Sequence, residues 1–145
     1  MKSLTLPRAW RAVLAAPLAL GLLSGGGLAG DVHAATPAEL LAAYTAQAKA
    51  AADPERGQRF FNTVQPGELQ LSCASCHGAV PTRLGKNVLT EKRIKPLAPA
   101  FNAERFTDRS RVEGWFRNNC KDVLGRECTA AEKADVLSWL LTFQP

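Results

Sequence analysis

Methionine and histidine are nearly missing from this chain of 145 residues. There is one methionine, Met1, and there are two histidines, His33 and His77. Chemistry that needs several imidazoles or a thioether is thereby confined to very few positions. Charge of one sign is also in short supply: 18 basic against 13 acidic side chains leave a formal charge of +5, and charged residues are 21% of the chain. That balance excludes a disordered polyelectrolyte. Eleven glycines and nine prolines are too few for a fibrous repeat. No segment alternates like a β-strand and no internal repeat is visible. The length suits one domain.

Long hydrophobic runs are scarce as well. The apolar stretch is Ala12–Leu23, preceded by Lys2, Arg8 and Arg11 and followed by small residues up to Val32-His33-Ala34. A basic start, a short apolar middle and an A-x-A-like end predict a secretory signal peptide cleaved after Ala34. Pro17 and five glycines dilute the run, which falls short of the ~20 apolar residues of a membrane span. There is no twin-arginine pair, so export by the Sec route to the periplasm is expected, with no stable membrane insertion after cleavage. Lys2, Arg8, Arg11 and Asp31 leave with residues 1–34, and the formal charge drops from +5 to +3. What remains is too weak to indicate nucleic acid. The remaining domain, residues 35–145, keeps His77 as its one histidine and has no methionine. It also meets an oxidising compartment, where cysteines are paired or chemically occupied.

The pattern along this domain is helical. Thr36-Pro37-Ala38-Glu39 is a capping box with proline at the first helical position, and Leu40, Leu41 and Tyr44 continue it to about Ala51. Asp53-Pro54 opens a second helix carrying Phe60 and Phe61, which fades near Thr63 before a Pro66-Gly67 turn. Residues 78–103 are rich in proline, glycine and basic side chains and predict a long structured loop, suspicious in a small domain unless something fills the space beneath it. Asp108 caps a short helix with Val112, Trp115 and Phe116. Thr129-Ala-Ala-Glu132 is a second capping box, before a last helix bearing Val136, Leu137, Trp139, Leu140 and Phe143. The class is all-α, with four to five short helices. So short a chain with so much loop has a thin apolar core, a deficit that a buried prosthetic group would remedy.

Cys73-Ala74-Ser75-Cys76-His77 is the C-x-x-C-H signature of covalent haem attachment. Two thiols three residues apart can reach the two vinyl groups on one porphyrin edge, and the adjacent imidazole comes under the iron as proximal ligand. A thioredoxin-like redox pair would want a βαβ context, and a zinc ribbon would want a second close cysteine pair; Cys120 and Cys128 are too far apart for that. Pro96 is a candidate to offer its carbonyl to the second N–H of His77.

Electron-carrying cytochromes c usually place methionine or a second histidine on the far side of the iron. Residues 35–145 contain neither beyond His77. The distal position is therefore open, filled by water, or held by a weaker donor: Tyr44, Lys86, Lys92, Lys95, Asn118 or Asn119. In class I cytochromes the distal ligand lies on a loop some forty residues past the motif, and Asn119 falls there. Cys120 and Cys128 are the two cysteines left over and should bridge, either as a plain staple or to hold the ligand segment. Lys86, Lys92, Arg93 and Lys95 make a basic stretch, read either as a solvated loop or as a docking edge for an acidic redox partner.

Taken together, these residues resemble the high-spin c-type cytochromes called SHP, a class I cytochrome c-like family. The likeness runs through Thr36–Leu40, Glu55-Arg56-Gly57, Cys73–Gly78, Pro96–Pro99, Arg105-Phe106-Thr107-Asp108, Asn119-Cys120 with Gly125-Arg126 and Cys128, Glu132–Asp135 and Trp139-Leu140. One departure is Asn118, where the family pattern has arginine. The resemblance implies one haem c bonded to Cys73 and Cys76, with His77 proximal. It also implies Asn119 as sixth ligand in the ferric state and a Cys120–Cys128 disulfide. It implies binding of small diatomic ligands such as O2 and NO after reduction, with electrons supplied by a dihaem cytochrome c. The alternative is a simple electron shuttle. No acid/base constellation of an ordinary peroxidase is apparent.

Overall fold

The computed structural model describes residues 34–66 and 68–145. The signal peptide expected from the N-terminal sequence lies outside the described residues up to His33, as does Gly67 of the predicted turn. Helix α1 spans Pro37–Ala48. The Thr36 hydroxyl accepts the Glu39 N–H at 3.2 Å, while the Glu39 carboxylate accepts the Thr36 N–H at 2.7 Å. It ends three residues before the expected stop because Lys49 adopts a left-handed φ of 54°, directing its N–H back to the Ala46 carbonyl. Helix α2, Pro54–Asn62, starts at the Asp53 cap. Helix α3, Cys73–His77, opens on a capping box, Ser72 with Ser75. Helix α4 is Arg109–Leu124 and helix α5 is Ala130–Leu140, the latter opened by the Thr129–Glu132 box.

Two features differ from the sequence reading. The long loop contains an antiparallel pair, β1 (Gly85–Lys86) and β2 (Arg93–Ile94), with Gly85 opposite Ile94, and a 3-10 turn at Pro99–Phe101. Strands of two residues are too short to show alternation. Helix α4 is longer than the short helix expected: it runs past Gly114 and through Asn118 and Asn119, poor helix formers that are carried by the rest of the element.

The most extensive packing is α2 on α5, followed by α1 on α5. The crossing point is Gly57. A Cβ built there would lie 2.0 Å from the Asp135 carbonyl oxygen, so the two backbones touch and no side chain fits between them. The buried Asp135 side chain locks the crossing, accepting the Asp53 N–H at 2.8 Å and the Arg56 Nη2–H at 2.7 Å. One turn along α2, Phe61 stacks 5.0 Å from Trp139. Leu40 and Tyr44 of α1 and Leu137 and Leu140 of α5 complete a buried cluster with Phe61 and Val112. Ala34 forms an isolated bridge with Asp108, the cap of α4, and Ala35 donates to the Thr107 carbonyl. Among the described residues no helix is long and apolar enough to cross a membrane.

Gly57→Ala forces these backbones apart. It should cost about 3 kcal/mol as an overpacking change and lower the melting temperature by roughly 15 °C. A melting curve superimposable on wild type would contradict the crossing.

Candidate haem site

A cavity of about 290 Å³ lies beside this helix pair. Helix α3 lines it with Cys73, Cys76 and His77, and α4 lines it with Trp115, Phe116 and Asn119. Phe61 and Leu140, from the α2–α5 pair, supply apolar surface.

Four contacts fix α3. Ser72 accepts the Ser75 N–H at 3.1 Å, and Ser75 Oγ accepts the Ser72 N–H at 3.0 Å, so the short helix is capped from within. The backbone of β1 lies directly on it: a Cβ at Gly85 would come within 2.3 Å of the Cys76 carbonyl oxygen. Val88 N–H donates to Cys76 Sγ at 3.5 Å. The His77 ring sits 6.1 Å from Phe61, centroid to centroid, which couples α3 to the α2–α5 core.

The electrostatics separate two chemistries. Burial pushes the Cys73 thiol up to about 11, against a backbone hydrogen bond that pulls it down. A thiol–disulfide exchange cysteine needs the opposite, a lowered pKa, so Cys73 does not suit redox exchange. Burial, and then the charge of Arg105, bring His77 down to about 4. At neutral pH the ring is uncharged and carries a lone pair, the state a metal ligand requires.

Arg105 is the cavity residue that motif reading did not single out. Its Nε–H donates to the Pro96 carbonyl at 2.9 Å and its Nη2–H to the Lys95 carbonyl at 2.8 Å. The guanidinium also lies 5.0 Å from the Trp115 ring. Burial draws its pKa down, and among the described residues no carboxylate is within ion-pairing distance of it. Arg105, Ile94 and Trp115 also line a second cleft with Arg93, Lys95 and Arg111. A half-buried cation without a carboxylate partner, at the edge of an apolar cavity, suits a flat apolar group with acidic side chains. Two thiols and a neutral imidazole on one helix suit the same group. The residues present therefore fit haem.

The other candidates fall as follows. Asn119 lines the cavity, from within α4 rather than from the loop expected, whereas Asn118 is not among the lining residues. Tyr44 is buried on α1 and donates to Glu113 Oε1 at 2.6 Å, so it is not a distal donor. Lys86 pairs with Glu91, and Lys95 pairs with Glu104 at 2.9 Å; half of the basic stretch is neutralised locally. The Pro96 carbonyl accepts from Arg105 Nε–H and from Asn102 Nδ2 at 3.1 Å, and so holds Arg105 in place. Cys120 and Cys128 form a disulfide with Cα atoms 5.6 Å apart, joining α4 to the segment before α5.

Comparison with known proteins agrees with this chemistry. Residues 47–140 match the family described as Domain of unknown function, DUF1924. Cytochrome c-type protein SHP of Cereibacter sphaeroides is 50% identical over 121 residues, 82% of this chain and 91% of that protein. A structure of oxidised SHP, an oxygen-binding cytochrome c, superimposes with a TM-score of 0.72 at 48% identity, covering 76% of this chain and 99% of that one. The crystal structure of oxidised cytochrome c'' from Methylophilus methylotrophus gives a TM-score of 0.70 at 38% identity, over 75% and 95% of the two chains. The protein is an all-α c-type cytochrome with one covalently bound haem. Within that class, the chain belongs to the SHP family.

The disulfide closes a short loop and should contribute roughly 2–3 kcal/mol in the chain-entropy model. The Cys120→Ser/Cys128→Ser variant should melt lower by that amount while keeping its haem, as judged by absorbance. Unchanged melting would show that the bridge constrains nothing the unfolded chain would otherwise explore.

Proposed function

We propose that Cys73 and Cys76 carry the haem through thioether bonds, that His77 is its proximal ligand, and that Asn119 is a distal ligand in the ferric state which withdraws on reduction. A haem held by these residues would supply the change of oxidation state and a coordination position for Asn119. The withdrawn Asn119 then leaves that position to a small neutral molecule such as O2 or NO. The observation that carries this reading is the state of the amides lining the cavity. Gln65 is turned to the backbone carbonyls of Phe60 and Thr63, and Asn87 accepts the N–H groups of Leu89 and Thr90. Asn119 makes no side-chain hydrogen bond among the described residues, and residues 35–145 hold no methionine and no second histidine.

A neutral amide oxygen is a hard donor and prefers ferric to ferrous iron, which gives the exchange its direction. Methionine ligation raises the potential of cytochromes c, so its absence places this protein below them. The oxygen binding named for the SHP structure supports the same function here. Export to the periplasm follows from the leader-like N-terminus, and electrons would come from another cytochrome, of the dihaem class that the family resemblance implies.

Asn119→Ala should change the ferric absorption spectrum toward an unligated, fully high-spin form, while Asn118→Ala should leave it as in wild type. Carbon monoxide should bind the reduced wild-type protein rapidly. A ferric spectrum indifferent to Asn119→Ala, or a reduced haem that refuses carbon monoxide, would reduce the protein to a plain electron shuttle. Redox titration should return a potential below that of a His/Met cytochrome.

A further inference from the structure

Helix α4 stands at the cavity in an unusual way. The extensive helix pairings are α2 with α5 and α1 with α5, and α4 has none of comparable extent. Trp115, Phe116, Asn119 and Val123 follow one another at helical spacing, and all four line the cavity. The ends of α4 are pinned by covalent and backbone links: Cys120–Cys128 near its C-terminus and, just before its N-cap, the hydrogen bond from Ala35 N–H to the Thr107 carbonyl. Its middle is held by Val112, buried in the core cluster, by Phe116, packed edge to face on Tyr44, and by one charged side chain, Glu113.

Glu113 is a hub for three helices. Its Oε1 accepts the Tyr44 O–H of α1 at 2.6 Å, and its Oε2 accepts the Lys133 Nζ–H of α5 at 2.7 Å. Burial raises the Glu113 pKa, but these two hydrogen bonds outweigh it and hold the group below its ordinary value, as a carboxylate. The Lys133 ammonium lies 5.5 Å from the Tyr44 ring and 5.6 Å from the Phe116 ring, and Phe116 meets Tyr44 edge to face at 5.9 Å. Phe116 is one turn from Asn119 and shares its cavity-lining face. A movement of α4 away from the cavity must stretch both charge-assisted hydrogen bonds and pull Phe116 from the cation.

We propose that Glu113 is a positioning residue: by tying the middle of α4 to α1 and α5, it sets how readily Asn119 leaves the distal position. This rests on the role proposed for Asn119 and extends it to a residue outside the cavity. The tether makes the amide a better ligand than its chemistry alone provides, because the helix that carries it is not free to swing. Two partners on two different helices make the restraint directional, and Gln in place of Glu weakens it while keeping the shape.

The test is cyanide binding to the ferric holoprotein, followed by stopped-flow absorbance. At high cyanide the rate saturates at the rate of Asn119 departure. Glu113→Gln should raise that limit about tenfold, the loss expected of one charge-assisted hydrogen bond, and should increase the high-spin fraction of the ferric spectrum. Tyr44→Phe and Lys133→Met each remove one partner and should give smaller increases; they also serve if Glu113→Gln does not fold. In an Asn119→Ala background the same substitutions should have no effect on cyanide binding, a result that a general loosening of the fold would not give. An unchanged saturating rate in all three variants, with Asn119→Ala itself altering the kinetics, overturns the role of Glu113. Equal acceleration with and without Asn119 overturns it too. If Asn119→Ala alone changes neither spectrum nor kinetics, the ligand assignment has failed instead, and this inference falls with it.

Discussion

The close approach of α2 and α5 at Gly57 is the constraint on which the remainder of the structure is built. Backbone meets backbone there because the sequence puts no side chain between them. The buried carboxylate of Asp135 can then serve Asp53 and Arg56 at once, and it is paid for by complete pairing. Phe61 follows one turn later, where it touches both Trp139 of the core and the His77 ring. The contact thus hands the rigidity of the core directly to the helix that bears the cysteines. Capping by Ser72 and the backbone pressure of Gly85 complete a side of the cavity with little freedom.

The other side is built on different terms. Helix α4 takes its position from a disulfide, a backbone link before its N-cap and a carboxylate hub, with Val112 and Phe116 as its contribution to the packed core. One domain thereby joins an unyielding wall to a tethered one. That division suits a site whose proximal ligand stays while its distal ligand exchanges, since the cost of moving a helix depends on how much apolar surface must be parted.

How much of this could be read in advance depends on the range of each interaction. The two capping boxes and the C-x-x-C-H run are local patterns, and the all-α architecture they foretold is the one found. The scarcity of methionine and histidine left several donors open, and spacing and the family resemblance singled out Asn119, which lines the cavity; its place within a helix was not legible, because Gly114, Asn118 and Asn119 each weaken the helical signal. The β1–β2 pair was hidden because two-residue strands carry no periodicity. Arg105 escaped because a single arginine in a basic chain has no signature until its partners are seen to be carbonyls and an indole. The Tyr44–Glu113–Lys133 hub joins residues 69 and 20 positions apart, distances at which one sequence is silent. Pro96 was singled out by analogy, and the demand of Arg105 and Asn102 for its carbonyl was invisible in the sequence.

The slender fastening of α4 also bears on how such a protein can diverge. Trp115, Phe116 and Asn119 each present a face to the cavity, so a change of size or polarity there is absorbed in part by space rather than by the packed pairs of α1, α2 and α5. Descendants could reshape the cavity through point changes within a turn or two of a single helix, at less cost to the packed core than changes to Phe61 or Leu140, which serve core and cavity together.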